Sequence, residues 1–349
     1  MKKVLPFALV ILALLITSAC TLGGKKPPPS YPGGVFKTFD AALTWDHKVM
    51  VSQIGAAQQT INDVNVRKLS FFPKTTKSLY LLPEGEGFYV SYNNGETWIP
   101  QLMDKGVIND LDIDPQNRGY IFVVVNDIVY RLEQCCDEWS KVYLETRGNI
   151  LTSIAINPKN PQEVYFTTSK GELFKSNNHG DSWTVIKRLE IFIQELIINP
   201  QDQNIMYIIA NQGIYKSKDK GITWNKIDSL SQYPGTGELY HFVFNPNKWD
   251  SFFYVSKYGI LKTDDGGETW HDISLLTPPG AVRIHAFTFN PKNLEEMIYA
   301  TANTLYKTAD GGEKWETKSL PTKSPPTFLL TDPEHSNVIY LGTKTASVQ

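Results

Sequence analysis

The stretch TDDGGETW at residues 263–270 decides the fold, because looser copies of it recur along the chain at nearly equal spacing. The shared pattern is Ser or Thr first, Asp or Asn third, Gly fifth and Trp eighth, set between two apolar runs. Asx and Gly between two strands favour a hairpin turn, in which the Asx side chain accepts backbone N–H groups and the Gly adopts a positive φ. We expect the Trp ring to cover each hairpin while its indole N–H finds a polar partner.

Five good copies and one worn copy of this motif divide the chain. They occupy residues 91–98, 176–183, 217–224, 263–270 and 308–315, and the worn copy occupies 38–45, where Ala42 replaces the Gly. A more degenerate segment ends at Trp139, so seven of the eight Trp close such a unit and only Trp249 lies outside. The residues predicted to build the hairpins are Asp40, Asn93, Gly95, Trp98, Asn178, Gly180, Trp183, Asp219, Gly221, Trp224, Asp265, Gly267, Trp270, Asp310, Gly312 and Trp315.

These copies resemble the Asp-box, or bacterial neuraminidase repeat. That repeat builds β-propellers in sialidases, sortilin-type receptors, some xyloglucanases and the photosystem II assembly-factor family. In those families the boxes lie away from the catalytic centre. The resemblance therefore implies that the hairpins of this chain are structural elements and are not ligand sites.

The spacing of the seven repeat tryptophans predicts seven blades. They lie 41 to 53 residues apart, which is typical of four-stranded propeller blades. Each interval predicts an apolar strand A, usually ending at Asn/Asp-Pro, then strands B and C, and a strand D that begins at the Trp. The segment 34–349 begins with C and D and ends with A and B. We therefore predict an all-β, seven-bladed β-propeller of four-stranded antiparallel blades, closed by a blade that the N- and C-terminal strands share.

The two faces of this disc are expected to differ. The A–B turns and the motif hairpins share one face, here called the motif face, which has the composition of solvated turns. The B–C and D–A loops share the other, here called the mouth face, where loop length varies most and the longest insertion is 47–64. Loops of variable length often carry function, and a tolerated surface loop is the alternative for each of them.

The first 33 residues predict export and lipid anchoring. Lys2 and Lys3, an apolar run over residues 4–16 and the small residues before Cys20 are typical of a lipoprotein signal. We interpret residues 1–19 as the signal peptide, Cys20 as the lipidated residue and 20–33 as a Pro- and Gly-rich tether. The expected location is the outer face of the cytoplasmic membrane or the outer membrane. The alternative is an ordinary cleaved signal followed by a stray Cys.

Charge and motif content exclude several function classes. The chain carries 34 Lys and Arg against 36 Asp and Glu, and removal of the signal takes away two of the Lys. A slightly acidic chain of this kind has no electrostatic footprint for nucleic acid. It contains no phosphate-binding, dinucleotide-binding or zinc-spacing motif, so we predict neither a cofactor nor a metal.

Polar residues near the start of the A strands are the candidate binding residues. Counting back from the Pro that follows strand A, the fifth and sixth residues are mostly charged or polar, whereas the fourth is apolar in every repeat. Because seven A strands converge on a central channel, these groups predict either a mouth that binds a ligand or peptide, or a water-filled channel whose polar groups satisfy one another. The candidates are Arg67, Lys68, Asn109, Asp110, Gln194, Glu195, Tyr240, His241, His285 and, just outside the ring, Arg283.

A glycoside hydrolase is the alternative to a binding protein. Such an enzyme needs two carboxyl groups across the scissile bond, and Asp110 and Glu195 are the best pair at the mouth. Lys68 shares their ring, so the pair fits a salt-bridged network as well as an acid and a base. The resemblance to sialidases fails at their Arg-Ile-Pro motif, which is met only by RIH at 283–285, and no catalytic residue is assigned.

We therefore favour a binding function. Exported, lipid-tethered propellers of this kind resemble the photosystem II assembly-factor family and, more broadly, sortilin-type peptide receptors. The resemblance implies a rigid disc that holds a protein or peptide partner near a membrane, with a glycan as the alternative ligand. The basic surface patch of the assembly factors has no clear counterpart in this sequence, so a photosynthetic role is not implied.

Two adjacent cysteines replace the turn of the degenerate segment before Trp139. In an oxidising compartment Cys135 and Cys136 could form a vicinal disulfide with a redox or recognition role. Two inert thiols on a decayed hairpin are the alternative.

Overall fold

Seven four-stranded antiparallel sheets form a ring in the computed structural model, which describes residues 31–52, 59–72, 74–117, 119–133 and 138–345. The prediction of an all-β, seven-bladed propeller is confirmed. Besides strands, the described residues contain one short 3-10 turn, Asp228–Gln232, and no helix with the length and hydropathy needed to cross a membrane. The signal segment, Cys20, Cys135 and Cys136 lie outside the described residues.

Each blade orders its strands A, B, C and D outward from the channel. The A strands of blades 1 to 7 are β3 (Val66–Phe72), β7 (Ile108–Ile113), β11 (Leu151–Ile156), β15 (Ile193–Ile198), β19 (Leu239–Phe244), β23 (Ala286–Asn290) and β27 (Pro326–Thr331). The B strands are β4 (Thr75–Pro83), β8 (Tyr120–Val125), β12 (Val164–Thr168), β16 (Met206–Ala210), β20 (Phe252–Ser256), β24 (Asn293–Ala300) and β28 (Ile339–Thr343). The C strands are β5 (Phe88–Ser91), β9 (Ile128–Glu133), β13 (Glu172–Ser176), β17 (Gly213–Ser217), β21 (Ile260–Thr263), β25 (Thr304–Thr308) and β1 (Gly34–Thr38). The D strands are β6 (Ile99–Gln101), β10 (Glu138–Leu144), β14 (Thr184–Arg188), β18 (Asn225–Lys226), β22 (His271–Ile273), β26 (Glu316–Ser319) and β2 (Asp46–His47).

Blade 7 is shared by the two ends of the chain, as predicted. Its strand order is β2-β1-β28-β27, and β1 pairs with β28 from Gly34↔Thr343 to Thr38↔Ile339. Strand β27 then packs against β3 of blade 1, which joins the last blade to the first. Hydrogen bonds between the two ends of the chain therefore hold the ring together.

The hydrophobic core is divided into seven clusters, each lying between two neighbouring blades. Between blades 2 and 3, for example, Phe122 and Val124 of one blade pack with Ile154 and Phe166 of the other. Strands A and B carry apolar residues on both faces because both faces meet a neighbouring blade. The fourth residue before the Pro is buried in six blades and is half-buried Phe242 in the seventh. Each blade is thus stabilised mainly by its two neighbours.

The hydrogen bonds and backbone conformation of the TDDGGETW hairpin explain why the same residue types recur in the copies of the motif. The Asp265 carboxylate accepts hydrogen bonds from the backbone N–H of Thr269 (2.9 Å) and from its hydroxyl (2.6 Å). Burial alone would raise the pKa of Asp265, but these bonds and that from Thr263 outweigh it and lower the pKa to about 2. Gly267 has a φ of 95°, and its N–H donates to the Thr263 hydroxyl (3.0 Å), so a side chain at this position would strain the turn. Ala42 holds the equivalent conformation in the worn copy, with a φ of 74°.

The tryptophans that close the hairpins differ in how their indole N–H is bonded. Four indole groups donate to backbone or hydroxyl oxygens at 2.8–2.9 Å, namely those of Trp98, Trp224, Trp270 and Trp315. The buried indole nitrogens of Trp45 and Trp183 have no partner among the described residues, so the expectation is wrong for these two. All six rings pack against the clusters between blades, so this packing, and not the bonding of the indole N–H, is the feature that they share.

The longest insertion, 47–64, differs from a tolerated surface loop. Val51 and Ile61 are buried in the cluster between blades 7 and 1. Val51 forms a β-bridge with Trp98, and the Trp98 indole donates to the carbonyl of Lys48 (2.8 Å). The described part of the insertion therefore seals the contact at which the ring closes.

Candidate functional site

A β-bulge marks the start of strand A in six of the seven blades. In blade 2 the register against strand B shifts between Ile108 and Asp110, so that Asn109 is skipped by the ladder. Equivalent shifts occur in blades 1, 3, 4, 5 and 7. A bulge redirects the side chains of the bulged strand. The sixth residue before the Pro is the skipped residue each time, and this frees its side chain from the regular in-and-out alternation.

Side chains at this skipped position join neighbouring blades. Thr327 donates to the carbonyl of Val66 (2.6 Å), Arg67 donates to the carbonyl of Ile108, and Asn109 donates to the carbonyl of Leu151 (2.7 Å). All three carbonyls belong to the seventh residue before the Pro in the following blade. Arg67 and Asn109 are two of the candidate binding residues, and each therefore donates a hydrogen bond that joins neighbouring blades.

Lys68, Asp110 and Glu195 meet in the channel, although they come from blades 1, 2 and 4. The Lys68 ammonium lies 2.8 Å from Glu195 Oε1 and 3.7 Å from Asp110 Oδ1. Asp110 also accepts hydrogen bonds from the Ser153 hydroxyl (2.7 Å) and the Ile154 N–H (3.2 Å) of blade 3. One cation is thus shared by two carboxylates, and four blades contribute to the cluster.

Burial governs the protonation of this cluster. Burial opposes the charge of Lys68, but Glu195 and Asp110 outweigh it and raise the pKa of the ammonium. Burial raises the pKa of Asp110 despite the attraction of Lys68. Two residues further along the same strand, burial raises the pKa of Asp112 to about 7, although it accepts backbone N–H groups from Ile156 and Ile113. Asp112 was not among the sequence candidates, because only the fourth to sixth positions before the Pro were compared.

The opposite side of the channel is built from neutral groups. The Nε2 of His241 lies 2.9 Å from the carbonyl oxygen of His285, and its ring meets Phe328 edge to face at 6.5 Å. Burial lowers the pKa of His241 to about 4 and also lowers that of His285. His241 is therefore neutral near pH 7 and serves as a contact between blades 5 and 6.

Tyr240 and Arg283 come together on the mouth face. The Arg283 guanidinium lies 4.3 Å from the centre of the Tyr240 ring and 3.6 Å from Glu238, and the Tyr240 hydroxyl donates to Glu238 (3.3 Å). Lys257 lies 3.8 Å from the same carboxylate. The three charged residues are exposed, so two cations and one carboxylate form a solvated cluster beside the channel.

A polar cavity of about 230 Å³ lies between blades 4 and 5. Its lining includes Gln194, Asn211, Glu238 and Leu239, together with the backbone of two glycines. The Gln194 amide donates to the Asn211 side-chain oxygen (2.9 Å). The pair therefore presents the remaining amide donors and the Gln194 carbonyl to the cavity.

The channel rim is formed by the eighth residue before each Pro, a position that the sequence comparison did not include. In blade order these residues are Asn65, Val107, Ile150, Phe192, Glu238, Arg283 and Pro325. Five of their carbonyls accept a hydrogen bond from the backbone N–H of the residue that follows strand B of the same blade, namely those of Asn65, Ile150, Phe192, Glu238 and Pro325. The rim backbone is therefore fixed in place.

Three consecutive rim residues, Val107, Ile150 and Phe192, form an exposed apolar arc, here called the rim arc. These residues are 38%, 55% and 42% exposed. Blades 2 and 3 are joined directly beneath the arc, because Asn109 reaches Leu151, the residue after Ile150. Aligning the residue that precedes each A strand would have revealed this arc in the sequence.

The motif face carries an unpredicted ladder of cations that are buried or half-buried between the blades. The residue just before the motif donates to the carbonyl of the fourth motif residue in the next blade at four interfaces. These pairs are Lys37 to Asn94, Arg131 to His179, Lys216 to Gly266 and Lys307 to Ala41. Because these cations are used between blades, they offer no free basic patch.

The carboxylate pair has an unfavourable geometry for glycoside hydrolysis. Acid and base must flank a space that admits the sugar. The Lys68 ammonium instead lies against both Asp110 and Glu195, in the space between them. Arg147, on the D–A loop that follows β10, forms bonds of 2.7–2.9 Å with Glu145 and Glu172, so it belongs to a separate structural cluster.

Comparison with known proteins identifies partial relatives. The family described as Sortilin, neurotensin receptor 3 (Sortilin-Vps10) matches residues 171–261, about a quarter of the chain. A xyloglucanase from Paenibacillus sp is 28% identical over 120 residues, which are 29% of this chain and 11% of that protein. Xyloglucanase Xgh74A from Acetivibrio thermocellus is 28% identical over 106 residues, 24% of this chain and 12% of that protein. The chain thus aligns with about a tenth of the length of these curated relatives.

Three solved structures that share the fold are a xyloglucanase and two structures of YCF48. The GH74 xyloglucanase from Xanthomonas campestris superposes with a TM-score of 0.61 at 15% identity, over 81% of this chain and 52% of that chain. YCF48 bound to a D1 peptide superposes with a TM-score of 0.59 at 16% identity, over 81% and 94%. YCF48 from Cyanidioschyzon merolae has a TM-score of 0.59 at 12% identity, over 80% and 96%. At these identities the likeness establishes the propeller fold alone.

Proposed function

We propose that this protein is a membrane-anchored, extracytoplasmic binding or assembly scaffold that presents its mouth face to a protein or peptide partner. The observation that carries the proposal is the contrast within the mouth. Its carboxylates, Asp110 and Glu195, are held by Lys68, whereas the rim arc is exposed on a fixed backbone. Charges that neutralise one another favour rigidity, and exposed apolar side chains favour docking.

Two likenesses support a peptide as partner. The propeller superposes on nearly the whole of a YCF48 chain that has a D1 peptide bound. Part of the chain also matches the sortilin family. We further propose that the hairpins are Asp-boxes, since their Ser/Thr and Asp/Asn side chains bond the turn in the way that such a motif requires.

Anchoring through Cys20 completes the proposal, and it is tested separately from binding. The full-length protein should take up labelled fatty acid and sediment with membranes. Cys20→Ala should lose the label and leave the membrane fraction, whereas the neighbouring change Thr21→Ala should do neither. Continued sedimentation of unlabelled Cys20→Ala in salt-washed membranes would remove the anchor from the proposal.

Partner binding is tested by capture on the full-length protein from detergent-solubilised membranes of its own cells. Replacement of the exposed mouth-face cations, Arg283→Ala with Lys257→Ala, should reduce the captured partner at least several-fold. Exposed cations of the motif face supply the matched control, Lys218→Ala with Lys314→Ala. If the mouth-face variant captures as much partner as wild type and the motif-face control captures less, the partner binds the motif face.

A glycoside hydrolase is the second candidate, because the chain shares local sequence with two xyloglucanases. Hydrolysis of xyloglucan and of a sialoside panel should be undetectable, since Lys68 lies between the two carboxylates. Turnover that Glu195→Gln or Asp110→Asn abolishes, with folding intact by circular dichroism, would favour the enzyme instead.

A further inference from the structure

We infer that the rim arc docks an extended, aliphatic peptide segment of a membrane protein, with the Gln194–Asn211 amide pair bonding the backbone of that segment. The inference rests on the proposed function and narrows it to one surface and one kind of partner.

The arc has the properties of a preformed docking surface. Val107, Ile150 and Phe192 occupy equivalent positions on consecutive blades, so their side chains follow the curve of the rim. The carbonyls of Ile150 and Phe192 are bonded to the B–C loops of their own blades, which fixes the backbone beneath them. A fixed surface loses little conformational entropy when a partner binds.

The amide pair lies close to the Phe192 end of the arc. Gln194 is two residues beyond Phe192, and the backbone N–H of Asn211 donates to the Phe192 carbonyl (3.4 Å). Among the described residues, the side-chain oxygen of Gln194 and the side-chain N–H groups of Asn211 have no other hydrogen-bond partner, and they match the N–H and C=O of one peptide group. An extended segment could therefore place apolar side chains on the arc and one of its peptide groups in the cavity.

Charge favours a peptide over a lipid headgroup. The Lys68 ammonium is paired with two carboxylates, and the exposed cations Arg283 and Lys257 share Glu238. A surface that attracts anionic lipid needs several unpaired cations close together.

The chain path places this face on the side of the tether. Gly34 pairs with Thr343, which pairs with Pro326 at the mouth end of strand A. Just before Gly34, the Tyr31 carbonyl accepts a hydrogen bond from the Ser324 hydroxyl (3.1 Å). The tether therefore leaves the propeller at the mouth face, beside the rim residue Pro325.

The length of the tether limits where the mouth face can reach. Eleven residues lead from Cys20 to Tyr31, and a chain of that many residues spans at most about 40 Å. An anchor of this length attached at the rim keeps the mouth face near the lipid surface. The segments that meet it there are the exposed loops and tails of membrane proteins.

The docking chemistry is tested with a random peptide library displayed on phage. The bait is the full-length, lipidated protein in vesicles of phosphatidylcholine and phosphatidylglycerol at a ratio of about three to one. Enriched peptides should carry aliphatic residues at alternate positions, as an extended segment requires. Their affinity should fall at least tenfold in Ile150→Ser with Phe192→Ser, and it should be unchanged in the motif-face control Leu43→Ser with Ile222→Ser. All four side chains are exposed, so folding is not at risk.

Several results would overturn the inference. They are a lack of enrichment over empty vesicles, enriched peptides without aliphatic residues, binding that the arc variant leaves intact, and binding of a glycan array instead. If the arc variant still captures the wild-type partner from membranes, the proposed function stands and the assignment of the surface fails. If neither experiment yields a partner, both fail.

Orientation is measured with a fluorescent non-natural amino acid at position 150 or at position 222, and an energy acceptor on the lipid headgroups. Energy transfer should be stronger from position 150, on the mouth face, than from position 222, on the motif face. Equal transfer or the reverse order would overturn the membrane-facing arrangement. Cys20→Ala should abolish transfer from both positions, which separates a failure of anchoring from a failure of orientation.

Discussion

Lys68 and Glu195 connect opposite sides of the propeller: Nζ of Lys68 in blade 1 lies 2.8 Å from Oε1 of Glu195 in blade 4. The hydrophobic clusters join only neighbouring blades, so this ion pair is a tie across the channel itself. Asp110 of blade 2 lies 3.7 Å from the same ammonium and is fixed by Ser153 of blade 3. The mouth residues therefore act as a unit, and changes in one should alter the others.

Removal of the shared cation should destabilise the fold. Lys68→Met leaves Asp110 and Glu195 without a counter-charge, and we expect a loss of about 1–3 kcal/mol in the free energy of unfolding, reduced by the partial exposure of the pair. Urea titration at pH 7 measures it. Glu195→Gln should cost less in the Lys68→Met background than in wild type, because the charge that it removes is already unpaired. The surface change Lys105→Met is the control. An equal loss in the free energy of unfolding there would contradict a stabilising role for the Lys68–Glu195 ion pair.

Asp112 should make the protein less stable above neutral pH. Burial raises its pKa to about 7, whereas an Asp in the unfolded chain titrates near about 3.9. Between these values the unfolded chain ionises while the folded protein keeps its proton, so the stability that this group contributes is lost as pH rises from about 4 to about 7. From pH 5 to pH 8, the stability of Asp112→Asn relative to wild type should therefore improve by about 2 kcal/mol. The exposed control Asp63→Asn should show no such trend, and a flat difference for Asp112→Asn would refute the burial of the charge.

A side chain at the fifth motif position should strain the hairpin. Gly267 has a φ of 95°, and a Cβ there would lie 2.8 Å from Cδ1 of Ile227. We expect Gly267→Ala to lower the free energy of unfolding by about 1–2 kcal/mol. Gly85→Ala is the matched control, because a Cβ at Gly85 meets no atom within 4 Å. Thermal unfolding of both variants checks the difference, and equal melting temperatures would mean that the turn relaxes without cost.

The fold could be predicted because residue types that each blade requires for local reasons recur with the period of the blades. Trp closes each hairpin by filling the contact between blades, and the Pro after strand A ends a strand that cannot continue. The same local logic covers Gly267, whose positive φ follows from the hairpin alone. Ring closure could be predicted for a similar reason, since the two ends of the chain supply complementary halves of one blade.

The sequence identified the charged residues at the mouth but did not show which of them form ion pairs. Alignment placed Lys68, Asp110 and Glu195 on one ring, yet which of them meet depends on the width of the channel and on the bulges. The rim arc was within reach of the same alignment, two positions beyond those that were compared. The ladder on the motif face could also have been predicted from the sequence. Lys precedes Ser or Thr at the start of most motif copies, as in Lys216 before Ser217.

Deletion of the C-terminal strand should open the ring, and the cost should exceed the loss of one strand. Removing residues 337–349 takes away β28, which pairs with both β1 and β27. Strand β27 would then expose an unpaired edge beside the channel, and the cluster between blades 7 and 1 would lose the buried ring of Tyr340. We expect this variant to be insoluble or aggregated, as judged by the soluble fraction and by size-exclusion chromatography. Removing only 346–349 leaves β28 in place and should change neither measurement. A soluble, monomeric 337–349 deletion with the melting temperature of wild type would show that neighbouring blades alone hold the ring, and the shared blade would lose its role in closure.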